Sequence, residues 1–223
     1  MSTLRLVLFD CDGTLVDSAA HILGAMRGAF ERHDLVPPSD DEIKSIIGLS
    51  LPHAVGRLAS KHPEAPHAEM VEAYKDIYRD AMAPGADTEP LFEGVRAVLD
   101  ALSADEGTLL GVATGKSRAG LDRILAGHDL KDRFVTTMTA DDAPSKPAPE
   151  MVLRAIEATG VSPVRTVMIG DSAFDMQMAH AAGVRALGVA WGYQPVTTLT
   201  EAGAESVAHR VDELPACITE LVG

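Results

Sequence analysis

Two aspartates separated by one residue, Asp10 and Asp12, follow the apolar run at positions 6–9. An acid at the end of a buried strand loses hydration, and a second acid beside it makes a compensating cation necessary. Gly13 and Thr14 come next, in a turn whose backbone N–H groups are expected to face phosphate oxygens. A second acidic pair, Asp171 and Asp175, follows the apolar stretch at 166–169 and repeats the pattern. Hard oxygen ligands in this number suit Mg²⁺, which takes carboxylates, retained waters and substrate phosphate. Two further positions fit an anion: Thr114 with Gly115 behind it, and Lys146, expected in an extended segment fixed by Pro147. Taken singly, an Asp before Gly is turn chemistry, a strand-end Thr is a helix cap, and a Lys is a solvated cation. Together on one sheet edge they point to phosphoryl chemistry. The eight histidines form no ligand pair at helical spacing and read as surface or packing residues.

These side chains need elements that bring them together. Short β-branched runs at 4–9, 109–113, 134–137, 166–169 and 184–189 alternate with helical patterns at 94–103, 117–127, 149–159 and 172–182. A short strand near Val207 and a helix over 212–221 close the series. That alternation predicts an α/β fold with a parallel sheet, whose ligands bind at the carboxyl ends of the strands. From Asp17 to Ala86 only helical patterns occur, at 19–33, 39–46, 51–61 and 67–82, divided by Pro37-Pro38, Gly48, Pro63 and Pro66. This stretch reads as a helical insert that returns at Pro84-Gly85. The expected division is a core of residues 1–16 and 87–223 and a cap of residues 17–86.

Composition limits the partners. At 223 residues the chain has room for one domain with an insert, and 46% hydrophobic with 23% charged residues excludes a disordered chain. A formal net charge of -14 repels nucleic-acid backbones, so none is expected as a partner. Cys11 and Cys217 offer neither a disulfide framework nor zinc-ligand spacing. The first ten residues are too short in apolar length for a signal peptide or a membrane span. The expected setting is the cytoplasm, without a membrane partner.

Asp10-Cys11-Asp12-Gly13-Thr14, then Thr114, Lys146-Pro147, and Gly170-Asp171 with Asp175 resemble the ordered motifs of the haloacid dehalogenase superfamily. The branch most similar is the phosphoglycolate phosphatases with a helical cap, and the resemblance spans nearly the whole chain. It implies a Rossmann-like parallel sheet with helices on both faces and an inserted α-helical cap domain. It also implies Asp10 as nucleophile forming an aspartyl-phosphate, Asp12 as general acid and then base, and Thr114, Gly115, Gly13 and Lys146 around the phosphate. Mg²⁺ would be held by Asp10, the Asp12 carbonyl and Asp171, with Asp175 reaching a metal-bound water or Lys146. In the cap, Gly48, Leu49, Ser50 and, less directly, Arg57 would face the substrate, with Asp17 and Ser18 as hinge and helix cap. Gly115 stands where many relatives have Asn, and Lys116 competes with Lys146 for the phosphate. Tyr74 and Tyr78 read as cap core, and Cys11 as packing.

The implied activity is Mg²⁺-dependent hydrolysis of a small phosphorylated metabolite, phosphoglycolate first, with sugar phosphates, nucleoside monophosphates and pyrophosphate behind it. A phosphomutase of the beta-phosphoglucomutase type shares every motif and is the alternative. A phospho-receiver module fits the acids but not the large insert. Ala113-Thr114-Gly115-Lys116-Ser117 ends like a P-loop yet lacks its first glycine. The chain is expected as a monomer or homodimer.

Overall fold

Successive side chains of a strand point to opposite faces, so one apolar strand can seed two core layers. The computed structural model describes residues 4–82 and 89–223. In strand β1 (Arg5–Phe9), Leu6 and Leu8 enter one layer while Val7 and Phe9 enter the other. The other strands are β2 (Thr108–Ala113), β3 (Thr136–Met138), β4 (Thr166–Gly170), β5 (Arg185–Val189) and β6 (Ser206–Ala208). They form one six-stranded sheet in the order β3-β2-β1-β4-β5-β6, with every pairing parallel. Because β1 pairs with both β2 and β4, the chain segments that follow these three strands emerge side by side. The order reverses at this point, which opens a crevice at the strand ends.

Between β1 and the rest of the sheet the chain forms helices α1 (Ala19–Glu31), α2 (Asp40–Lys44), α3 (Leu51–Leu58) and α4 (His67–Ala81). They bury their own apolar cluster, with Met26 and Phe30 from α1, Ile43 from α2, Val55 from α3 and Met70 from α4. α2 begins in a reciprocal cap between Ser39 and Glu42, directly after Pro37-Pro38. The expected return at Pro84-Gly85 and the boundary at 86/87 lie outside the described residues.

The remaining helices are α5 (Val95–Ser103), α6 (Arg118–Gly127), α7 (Glu150–Thr159), α8 (Ala173–Ala182), α9 (Val196–Glu201) and α10 (Leu214–Val222). α5, α6 and α10 cover the Val7 and Phe9 face, and α7, α8 and α9 cover the Leu6 and Leu8 face. The α/β class with helices on both faces therefore holds. Some boundaries differ from expectation. The strand expected at 134–137 starts at Thr136, because a 3-10 turn at Lys131–Arg133 precedes it and leaves Val135 60% exposed. α9 was not expected: its six residues bury a single leucine, Leu199, too little for a helical period to register.

Leu8 is 0% exposed at the centre of this sheet. Leu8→Ala is predicted to destabilise the protein by about 2–5 kcal/mol in urea unfolding, since the cavity left in a tightly packed layer adds to the lost burial. A loss below about 1 kcal/mol would contradict the packing described.

Candidate active site

Three buried carboxylates meet where β1 and β4 end. Asp10, Asp171 and Asp175 are 1%, 2% and 0% exposed, and each offers an oxygen within 4.8 Å of the others'. Asp10 is placed by its N–H donating to Ile169 O at 2.9 Å, which continues the ladder one residue past β1. Asp175 sits at N3 of α8, where its carboxylate accepts from Ser172 N–H and Ser172 Oγ while Ser172 caps the helix in return. Asp171 accepts from Thr14 Oγ1 at 3.2 Å and from Tyr193 N–H at 2.8 Å. A Cβ at Gly13 would lie 2.3 Å from Asp171 Oδ2, so only glycine lets the first turn approach this acid.

Among the described residues one ammonium serves the cluster. Lys146 Nζ lies 2.6 Å from Asp175 Oδ1 and 2.9 Å from Asp10 Oδ1, with its side chain 0% exposed. Three acids against one base among the described residues leave a deficit of positive charge in a buried site. Burial, opposed by Lys146, pushes the Asp10 carboxyl up to about 7. Burial together with Asp175 and Asp10 raises Asp171 well above the carboxylate range. Asp10 Oδ1 meets Lys146 as an ion pair without an aligned hydrogen bond, and Oδ2 has no hydrogen-bond partner among the described residues. The unpartnered Asp10 Oδ2 and the missing positive charge fit a divalent cation held by Asp10 and Asp171, the Asp175 oxygens being engaged by Lys146 and Ser172.

Asp12 faces a different partner. Its Oδ1 receives Lys116 Nζ at 2.7 Å, and the same ammonium donates to Tyr78 OH at 3.2 Å and Glu89 Oε1 at 3.3 Å. Burial works against the charge on Lys116, but Asp12, Tyr78 and Glu89 outweigh it and raise its pKa well above the usual value. All three ammonium protons are therefore committed, whereas Lys146 donates to Asp175 and otherwise meets Asp10 as an ion pair. Glu89, with its side chain 0% exposed, also holds Arg123 at 3.0 Å and bonds Tyr78 OH. The Asp12 carboxylate thus stands outside the acidic cluster, and only its backbone carbonyl is left for the metal role expected of it.

The strand ends form the floor of a cavity of about 750 Å³, lined by Asp10, Asp12, Thr114, Gly115 and Lys116 below and by α1, α3, α4 and the loop before α3 above. Gly48, Leu49 and Ser50 lie in that wall, and Ser50 N–H donates to Ser145 Oγ of the core at 2.9 Å. A Cβ at Gly115 would fall 2.4 Å from Gly48 O and 2.7 Å from Leu49 O, so the glycine is what lets the insert loop rest on the core.

Several expectations need correction. Gly13 N–H donates to Val16 O and Thr14 N–H to Cys11 O, so neither faces the cavity as a free donor. Among the described residues the N–H groups left without a partner in this turn are those of Cys11 and Asp12, two residues earlier. Lys146 lies in a turn closed by Ala148 N–H on Ser145 O, with a cis peptide to Pro147, and not in an extended segment. Arg57 does not reach the cavity, because its place on α3 sets its guanidinium 5.5 Å from the centre of the Phe174 ring. Ser18 gives no side-chain cap to α1. Its N–H donates to Tyr193 OH at 2.7 Å, and that hydroxyl donates to Asp17 Oδ1 at 3.1 Å. Tyr74 and Tyr78 stack at 5.6 Å and line the cavity as well as the insert core. His53 lies in the wall and bonds Ser50 Oγ at 2.8 Å.

Sequence reading missed Glu89, Arg123, Tyr193 and Gln194. Gln194 bridges Ala173 N–H and Ser45 O, tying the core to the insert. The available signal was Trp191-Gly192-Tyr193-Gln194 placed directly after a strand on the same sheet edge.

The raised carboxyls set the sign of a pH effect. Stability contributed by protonated Asp10 in the metal-free protein is full below its ordinary value of 3.8 and is lost as pH rises through about 7. Divalent cation competes with those protons. The rise in melting temperature on adding Mg²⁺ is predicted to be small at about pH 5 and larger at about pH 8. An equal rise at both, read by thermal shift, would contradict the assignment.

The sequence pattern of the haloacid dehalogenase-like hydrolases matches residues 7–189. A protein of Dickeya dadantii (strain 3937) named "Probable phosphatase IndB" is 35% identical over 213 residues, 94% of this chain and 91% of that protein. A "Phosphoglycolate phosphatase" of Caulobacter vibrioides is 35% identical over 234 residues, 99% of this chain and 96% of its own length. Among solved structures, one described as a predicted phosphatase from Clostridium acetobutylicum superposes with a TM-score of 0.82 at 28% identity, covering 98% of this chain and 99% of the other. A hydrolase from Pseudomonas syringae shares the fold with a TM-score of 0.85 at 23% identity, over 98% and 100% of the two chains. With the strand-end acids in place and the match running from β1 to the end of β5, the chain belongs to the haloacid dehalogenase-like hydrolase family.

Proposed function

We propose that the chain is a Mg²⁺-dependent phosphatase that hydrolyses a small phosphomonoester through an aspartyl-phosphate on Asp10. The observation that carries this reading is the buried carboxylate cluster beside Lys146, whose Asp10 meets that one ammonium through Oδ1, leaves Oδ2 without a partner and lies at the floor of a cavity. Mg²⁺, when bound by Asp10, Asp171 and the Asp12 carbonyl, supplies positive charge for the phosphoryl oxygens. Asp175 supports from behind by holding Lys146.

In the first step an Asp10 oxygen attacks phosphorus and the bond to the ester oxygen breaks. Asp12 gives its proton to that oxygen, so a neutral alcohol leaves. In the second step Asp12, now a carboxylate, takes a proton from water as the water oxygen attacks phosphorus. The Asp10–phosphorus bond breaks, and inorganic phosphate and free Asp10 result. Lys116 steadies Asp12 by Oδ1, while Oδ2 makes no hydrogen bond among the described residues and is free to exchange the proton. Thr114 Oγ1 and the N–H groups of Cys11 and Asp12 receive phosphoryl oxygens, with Lys146 adding charge through Asp10.

Residues 17–86 act as a cap domain in this reading, closing the cavity and excluding water during attack. No helix among the described residues is long and apolar enough to cross a membrane, and we place the enzyme in the cytoplasm as a monomer or homodimer. The name of the Caulobacter vibrioides relative puts phosphoglycolate first among substrates to test.

Asp10→Asn is predicted to lower phosphate release by at least about 10³-fold, and EDTA to abolish it until Mg²⁺ is restored. Activity that survives the substitution would refute the nucleophile. Retention of the phosphoryl group in an isomeric ester would instead favour a mutase. Gly115→Ala sets a methyl against two backbone carbonyls that cannot rotate away. It is predicted to cut kcat/KM about 10–100-fold in steady-state assays while leaving Mg²⁺ binding intact.

A further inference from the structure

The insert already rests on the core: Ser50 bonds Ser145, Gln194 bonds Ser45, and the carbonyls of Gly48 and Leu49 abut Gly115. The cavity of about 750 Å³ is thus the space left with the insert in contact. Sites of roughly 300–1,000 Å³ accept ligands of drug size, and a phosphate joined to a two-carbon acid fills little of one.

The lining is also wrong for a second anion. The lysines and arginines in the wall each already answer an acid, and His53 bonds Ser50 Oγ. Lys75 pairs with Glu72, Arg79 with Asp76, and Arg123 with Glu89, while Lys116 has all three protons committed. A carboxylate on the leaving group would meet no unpaired lysine or arginine among the described residues and would enter beside Asp12. Above the floor, Ile47, Leu49, Met82 and the stacked Tyr74 and Tyr78 present mainly apolar surface. Burying an unpaired carboxylate against such a wall is unfavourable, whereas an uncharged ring gains from it.

From the cavity's size, its apolar wall and its internally paired bases we infer that the alcohol released is an uncharged, ring-bearing one of pentose size or larger, and not a two-carbon acid. This rests on the phosphatase reading and narrows its substrate class. The phosphate lies on the strand-end floor, and the ring lies between the loop at Gly48–Ser50 and α4.

The test compares kcat/KM of the full chain with Mg²⁺ for ribose 5-phosphate, uridine 5′-monophosphate, 2-hydroxyethyl phosphate and phosphoglycolate, with p-nitrophenyl phosphate as control. At least one ring ester is expected to exceed both two-carbon esters by about tenfold or more. If the pentose ester alone leads, the ring is the sugar; if the nucleotide leads, the base also occupies the wall. Phosphoglycolate equal to or better than both ring esters would overturn the inference while leaving a phosphatase. No phosphate released from any ester, the aryl one included, would overturn the phosphatase reading together with it. Leu49→Trp, which narrows the ring's space, is expected to lower the ratio of ring ester to phosphoglycolate about fivefold or more. An unchanged ratio would also count against the inference.

Discussion

Three buried carboxylates clustered beside one lysine are the constraint on which the rest of this molecule depends. Each buried charge is costly unless paired, and Lys146 can answer only part of the demand from Asp10, Asp171 and Asp175. The fold tolerates the deficit because the acids sit at strand ends, where the ladder fixes their backbone and a helix cap holds Asp175. A doubly charged cation removes the deficit and leaves Asp10 facing the cavity. Chemistry and instability therefore share one origin here.

The sheet order gives this cluster its partners. β1 lies between β2 and β4, so Asp10, Thr114 and Asp171 emerge as neighbours although more than fifty residues separate each from the next. A second charged set, Asp12 with Lys116, Glu89, Tyr78 and Arg123, stands apart from the first and joins the insert to the core. The two lysines divide the work by geometry: Lys146 serves the acidic cluster and Lys116 serves Asp12. The insert closes the space above them because glycine at 115 leaves room for two carbonyls.

Much of this was legible before the coordinates. The apolar run at 6–9, the acids after the runs at 6–9 and 166–169, and the helical stretch without β-branched runs are local signals, and local signals survive folding. What could not be read depends on distant partners. Lys146 stands out as sequence only through Pro147 behind it, and the acceptors around Lys116 and Lys146 show what each lysine serves. Arg57 has the chemistry of a substrate contact, but the face of α3 that turns to the cavity is set by packing against the other insert helices. Glu89 and Tyr193 lie in connecting segments with no period of their own, and their partners are remote in the chain. Gly13 was read as a donor to phosphate, yet its N–H closes the turn on Val16, so its use is to give Asp171 space.

The central claim is that the carboxylate cluster is completed by a divalent cation. Isothermal titration of the metal-free protein with Mg²⁺ near neutral pH, in buffers of differing ionisation heat, tests it most directly. The account predicts one ion bound per chain with release of protons, and binding weakened by at least about tenfold in Asp171→Asn. Saturable binding that is equally tight in that variant, or no binding to the intact chain, would contradict it.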